Sequence, residues 1–202
     1  MLRTLRPTNQ HGMSVIEDPP IARLLFQSTG PVTVMWLLVR VFAAYQWLSA
    51  GWEKLHTAAW MDGSGAGILS FWQRAVAVPA TGNPAITYDW YRGLLQFMIN
   101  ANMAPWFSKV IVFGELAVGL GLLFGAFVGI AAAGGLVMNM AFLLAGSTST
   151  NPVLAIIEIL LILAWKNAGY IGLDRYLLPA VGTPWRQSRL PESRVRKIHA
   201  AA

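Results

Sequence analysis

Long apolar stretches dominate the pattern of this chain. Residues 32–52 form an apolar stretch of 21 residues with a single charge, Arg40. This is close to the about 20 residues that a helix needs to cross a bilayer. Residues 110–146 form a run of 37 residues, again with a single charge, Glu115. As one helix this run would be about 55 Å long, against about 30 Å for the hydrocarbon core, so we predict that it turns back.

The turn is expected at residues 125–129, since nothing else interrupts the run. A second span then covers about 106–125 and a third about 128–146. After a polar turn, Pro152 suits the first turn of a fourth helix, which is expected to reach about Trp165. The pattern therefore predicts an all-α membrane protein built on a bundle of four transmembrane helices.

The connection between the first two spans, residues 53–105, is expected to be more than a loop. Its segments 68–78 and 88–103 are apolar and aromatic, but they are too short to span. They are typical of interfacial or re-entrant helices. Tryptophans of this region are expected in an interfacial belt, or else in a lid over a site at the outer end of the bundle; they are Trp52, Trp60, Trp72, Trp90 and Trp106.

Charge is scarce and concentrated at the ends of the chain. Charged residues make up 12% of the sequence and the net charge is +6, whereas soluble domains carry about 25% charged residues. The segments that hold the two termini carry ten Lys and Arg residues, against four in residues 53–109. The positive-inside rule then places both termini of a multi-pass protein in the cytoplasm and the outer connection outside. This charge pattern favours a cytoplasmic-membrane protein over a nucleic-acid-binding one.

The same pattern gives the domain boundaries. We expect a cytoplasmic N-terminal arm at 1–30, which has no apolar core of a signal peptide, a membrane domain at 31–179 and a basic cytoplasmic tail at 180–202. The absence of cysteine excludes thiolate chemistry and cysteine-ligated metal clusters. His11 and His199 lie in the arms and His56 stands alone, so neither a metal site nor haem is expected.

Polar residues inside the apolar stretches are the strongest functional signal, because ionisable groups in a span are costly. At 1.5 Å per residue, four of them fall about 9–13 Å below the outer surface, one in each span. These four are Gln46, Glu115, Asn139 and Glu158. Arg40 lies deeper, and its pairing with either carboxylate stays open. Arg40, Trp47 and Lys54 share one face of the first helix.

This polar layer has two interpretations. It can hold the bundle together through an Arg40–carboxylate bridge and satisfied amides. It can also serve a quinone, which needs hydrogen-bond donors, a proton relay and an apolar aromatic slot. In the second case the predicted catalytic residues are Glu115, Glu158 and Arg40, and the predicted binding residues are Gln46, Trp47 and Asn139.

Residues 114–147 and 151–179 resemble the centre of DoxX-family membrane proteins, and the first span with its GWEKL ending is also similar. The segments FWQRAV and YDWYRGLL resemble the longer DoxD-like branch, described as the large subunit of thiosulfate:quinone oxidoreductase. The resemblance covers about residues 35–185. Seven positions match the family's polar positions: Arg40, Lys54, Glu115, Asn139, Asn151, Glu158 and Asp174.

The resemblance implies a membrane subunit of an oxidoreductase that passes electrons to quinone, with thiosulfate as the donor. The alternative is a non-catalytic accessory subunit of a larger respiratory or photosynthetic complex. A small transporter or proton path is a weaker reading, since the spans show no repeat of discontinuous helices. The lipid bilayer and a protein partner or second copy are the expected neighbours.

Overall fold

Ten α-helices and no β-strand make up residues 18–183, the part of the chain that this computed structural model describes. The predicted all-helical fold is therefore confirmed. Most of the N-terminal arm, most of the basic tail, His11 and His199 lie outside the described residues. The helices are α1 Pro20–Gln27, α2 Pro31–Leu55, α3 Ala58–Met61, α4 Ala66–Val76, α5 Asp89–Asn100, α6 Ala104–Phe124, α7 Val128–Leu144, α8 Asn151–Leu163, α9 Trp165–Ala168 and α10 Asp174–Ala180.

Four apolar helices form the body of the molecule. α2 packs along α6, α6 continues into α7, and α7 packs along α8. Their facing sides form a core of small and aromatic residues that includes Trp36, Ala43, Leu122, Ala132 and Leu161. α2 and α6 are long and apolar enough to cross a membrane, while α7 and α8 are shorter apolar helices of 17 and 13 residues.

The predicted turn within the long apolar run is present between α6 and α7. Gly125 has a φ of +65° at the end of α6, a conformation that glycine adopts without steric cost. The Ala126 amide donates to the carbonyl of Gly121, which closes the end of the helix. Phe127 also has a positive φ, +48°, and its amide is held by the Asp174 carboxylate.

The fourth apolar helix ends sooner than the sequence indicated. α8 stops at Leu163, and a break at Ala164 separates it from the short helix α9. α8 therefore ends two residues before the expected end near Trp165. After the break, the side-chain amide of buried Asn167 donates to the carbonyls of Leu25 in α1 and of Ser28 just after it, and these long-range bonds hold α9 against the start of the described chain.

The segment between α2 and α6 is helical, as predicted, and it packs against the other helices. α4 and α5 correspond to the two predicted apolar segments, and α3 is an additional short helix. They share a second core with the first half of α6 and the end of α7. Trp72 belongs to this core, so its assignment to an interfacial belt is wrong; Trp52, Trp90 and Trp106 are exposed.

Part of the predicted polar arm is also a docked element. α1 is amphipathic and packs against α9. The Trp36 indole donates to the carbonyl of Leu25 at 2.7 Å, and the ring of Phe26 lies 5.9 Å from that indole. The expectation of a plain arm up to residue 30 therefore has to be corrected for residues 20–27.

Candidate functional site

A cavity of about 570 Å³ opens where α2 ends and where α3 and α4 cover the neighbouring helices. This volume is within the range of about 300–1,000 Å³ that small-molecule sites occupy. Its wall mixes charged, amide, hydroxyl and aromatic groups. These include Gln46, Trp47, Glu53, Lys54, Trp60, Phe71, Arg74, Glu115, Asn139, Phe142 and Asn151.

An ion pair joins two helices at this wall. Lys54 Nζ donates to both carboxylate oxygens of Glu115, at 2.9 and 2.8 Å. The Glu115 side chain is 2% exposed and that of Lys54 is 21% exposed. Gly51 makes the close approach possible, since a Cβ there would lie 2.9 Å from Leu116 and 3.2 Å from Glu115. The enclosed carboxylate is thus covered by an ammonium group that still faces the cavity.

The second buried carboxylate lies behind the cavity and is held by two donors. The Trp47 indole donates to Glu158 Oε1 at 2.8 Å, and the Asn139 amide donates to Glu158 Oε2 at 2.7 Å. The Cα of Gly135 faces Glu158 Oε1 so closely that a Cβ there would overlap this oxygen. Trp47 and Asn139 line the cavity, so they connect it to Glu158. The buried Oδ1 atom of Asn139 has no hydrogen-bond partner among residues 18–183.

Arg40 lies at the other end of α6 and does not join this site. Its Nη2 donates to the carbonyl of Ile171 at 2.8 Å. Its Nη1 packs so tightly against Gly125 that a Cβ there would overlap it, and a Cβ on Gly172 would lie 2.7 Å away. The grouping of Arg40 with Glu115 and Glu158 in one constellation is therefore wrong, because the α6–α7 turn and the 171–174 segment enclose the guanidinium.

Asp174 organises that same end of the bundle. Its carboxylate accepts from the amides of Phe127 and Val128, at 2.6 and 2.9 Å, and so caps the first turn of α7. Burial raises the pKa of the Asp174 carboxyl, while the two amides and the charge of Arg40 act in the opposite direction. The sequence marked Asp174 as a polar position without indicating this capping role.

The structure brings five of the six predicted site residues together. Gln46, Trp47, Asn139 and Glu115 line the cavity, and Glu158 is bonded to two of them. The equal-depth argument thus brought together side chains that lie at or next to one cavity, and their role in binding or catalysis stays a prediction. Additional wall residues come from the outer segment and from the turn before α8, notably Trp60, Arg74, Ser149 and Thr150. Only the aromatic character of the outer segment pointed to a covering role, and no spacing singled these residues out.

No group of three or more His, Asp or Glu side chains is placed to hold a metal ion within residues 18–183. Comparison of the chain with protein-family models, curated proteins and solved structures gave no match. The site is therefore interpreted from its own geometry.

Proposed function

We propose that this chain is the membrane subunit of an oxidoreductase that passes electrons to quinone, and that the cavity binds the quinone head group. The observation that carries the proposal is the Lys54–Glu115 pair in the cavity wall. Reduction of a quinone consumes two electrons and two protons. An ammonium–carboxylate pair beside the head group supplies a donor to a quinone oxygen and a path for a proton.

The other wall groups fit the same ligand. A Lys ammonium has three N–H donors, and two of those of Lys54 are used on Glu115. The third is available to a quinone carbonyl. Asn139 Oδ1 is buried without a partner and suits a quinol hydroxyl as an acceptor. Phe71 and Phe142 supply aromatic surface for a planar ring, and Trp60 lies beneath Lys54 Nζ, which is 5.4 Å from its ring centroid.

The electron donor follows from the DoxD-like resemblance. Two thiosulfate ions that join as tetrathionate release two electrons, which balance the two that a quinone accepts. The protons of the quinol then come from solvent through the cavity. The identity of the electron donor is a separate proposal, and the proposed quinone site does not depend on it.

The proposed topology places four spans in the cytoplasmic membrane, with both termini in the cytoplasm. α2, α6, α7 and the α8–α9 pair are the spans. The 13 residues of α8 give about 20 Å at 1.5 Å per residue, so α9 extends its reach. In this arrangement the cavity opens toward the outer face, beneath α3 and α4.

A non-catalytic accessory subunit is the second candidate, and a specific observation favours it. The buried acids are already satisfied within the chain, Glu115 by Lys54 and Glu158 by Trp47 and Asn139. Such a network stabilises a bundle without any ligand. In that case the chain's partner is a larger complex or a second copy.

Extraction of quinone from the protein purified in mild detergent separates these functions. We expect quinone to co-purify with the unaltered chain and with the control Asp89→Asn, whose side chain is exposed. Glu115→Gln keeps the shape but cannot carry the proton, so we expect quinone reduction per folded protein to fall at least tenfold. Full turnover with Glu115→Gln, or a larger complex that co-purifies without quinone, would favour the accessory role.

A further inference from the structure

A second cavity adjoins the first and shares an aromatic wall with it. This second cavity, here called the apolar slot, measures about 220 Å³ and lies between the pair α4–α5 and the pair α6–α7. Phe71 and Phe142 line both cavities. Their rings meet edge to face with centroids 5.7 Å apart. Two aromatic side chains therefore divide a polar compartment from an apolar one.

The lining of the apolar slot is almost entirely apolar. It is formed by residues such as Trp72, Leu95 and Ile111. Its one hydroxyl, that of Tyr91, already donates to the carbonyl of Ala141 at 2.7 Å. Leu94 and Val137 stand at its edges on opposite walls, 45% and 69% exposed. The slot therefore reaches the apolar surface of the helices, where a hydrocarbon chain can enter from the side.

We propose that the apolar slot holds the hydrocarbon tail of the molecule whose head group lies in the larger cavity, so that the substrate is a long-tailed quinone that enters laterally. The Phe71–Phe142 pair then separates head from tail and sets how deep the head can go. This inference rests on the proposed quinone site. It adds the class of substrate and the direction of entry. Both follow because the polar cavity and the apolar slot lie next to each other, with the Phe71–Phe142 pair between them.

The apolar slot is expected to position the tail and to add little to the free energy of binding. A tail in lipid and a tail in the slot are both out of water, so burial alone gives little preference between them. A side chain that fills the slot should therefore act by steric exclusion of the tail, and it should leave a head group without a tail unaffected. This difference distinguishes the tail site from a general disturbance of the cavity.

The test uses two probes, decylubiquinone and the same benzoquinone ring without a tail, titrated calorimetrically into the full chain in one detergent. Leu94→Trp and Val137→Trp fill the slot from its two walls. Phe97→Trp and Met140→Trp are matched controls on α5 and α7, exposed and outside the slot lining. We expect the filling variants to weaken decylubiquinone binding at least fivefold, with the tailless probe within twofold and both controls unchanged.

Each other outcome is decisive. Equal effects on both probes, or no effect on either, would overturn the tail site while leaving the quinone site intact. Failure of the unaltered chain to bind either probe would remove the proposed function and this inference with it. If the filling variants do not fold, a diazirine placed on the tail supports the inference by labelling residues 89–100 or 128–144 of the unaltered chain. Labelling confined to other segments would overturn it.

Discussion

Lys54 Nζ bonds to both carboxylate oxygens of Glu115 and so ties the last turn of α2 to the middle of α6. The Glu115 side chain is 2% exposed, whereas the Lys54 side chain is 21% exposed and belongs to the cavity lining. The Lys54 ammonium can therefore donate to a ligand in the cavity, whereas the Glu115 carboxylate relies on this ammonium to balance its charge.

Replacing the ammonium tests this dependence. Lys54→Met leaves the Glu115 carboxylate without its partner, and we expect the free energy of unfolding in detergent to fall by about 3 kcal/mol, the lower end for broken buried pairs. Lys109→Met, at an exposed position on α6, should change it by less than about 0.5 kcal/mol. Equal effects of the two substitutions would show that the pair does not stabilise the bundle.

Gly135 provides a test of the Glu158 network. In Gly135→Ala the new Cβ overlaps Glu158 Oε1 and lies 3.2 Å from the Trp47 indole nitrogen. Displacing the carboxylate leaves a buried donor unsatisfied, so we expect a loss of about 1–3 kcal/mol. Gly134→Ala is the matched control, because its Cβ meets only Val118 at 3.5 Å. That control should be neutral or stabilising through helix propensity. A harmless Gly135→Ala would contradict the network.

Arg40 lies outside the cavity lining, so we expect its substitution to lower stability and to leave quinone binding intact. Arg40→Met removes the donor to Ile171 and the positive charge near Asp174. We expect denaturation at lower denaturant concentration, with quinone binding per folded protein unchanged. Lys109→Met, at an exposed position outside the cavity lining, should leave both unfolding and quinone binding unaltered. Loss of quinone binding with intact stability would return Arg40 to the binding site.

The helix cap formed by Asp174 can be measured directly. Asp174→Asn retains one acceptor but places an NH₂ group against one of the two amides, Phe127 or Val128. Removal of a cap costs about 0.5–2 kcal/mol, so we expect a lower melting temperature. Asp89→Asn, with a side chain 91% exposed, is the control. Equal melting temperatures for the two variants would rule out a stabilising cap.

Topology can be read from two tags. A tag inserted at Gly82, where an added Cβ would meet nothing within 4 Å, should be reached by a membrane-impermeant reagent from outside. A reporter fused after Ala202 should be active only in the cytoplasm. The proposed four-span topology fails if both sites are reached from the same side of the membrane.

The lengths of the apolar stretches and their hydrophobic periodicity predicted most of the helices. The turn at Gly125 was predictable because a 37-residue apolar run is too long for one helix. That Glu115, Asn139 and Glu158 lie at or next to one cavity could be predicted by counting residues along the apolar stretches. The partners did not follow, because helix rotation decides them: Lys54 was placed on the right face, yet its bond to Glu115 depends on the close approach at Gly51.

Other features left no local signal. Asn167 bonds to Leu25 and Ser28, more than 130 residues earlier in the chain. The sequence analysis ended the apolar helix near Trp165 and gave Asn167 no partner, and neither Gly nor Pro stands at the break at Ala164. Long-range pairing of a side-chain amide with a free carbonyl cannot be inferred from hydrophobic periodicity.

The carbonyl of Leu25 accepts from Trp36 and from Asn167, and this sets an order of assembly. Its first donor emerges 11 residues later, its second 142 residues later. At about 5–20 residues per second, the ribosome needs roughly 7–28 s to deliver the second. During that interval Trp36 is the one of these two donors that has been synthesised. The hydrogen bonds to the Leu25 carbonyl are therefore complete only after α9 has been made, so a helix near the start of the chain depends on one near its end.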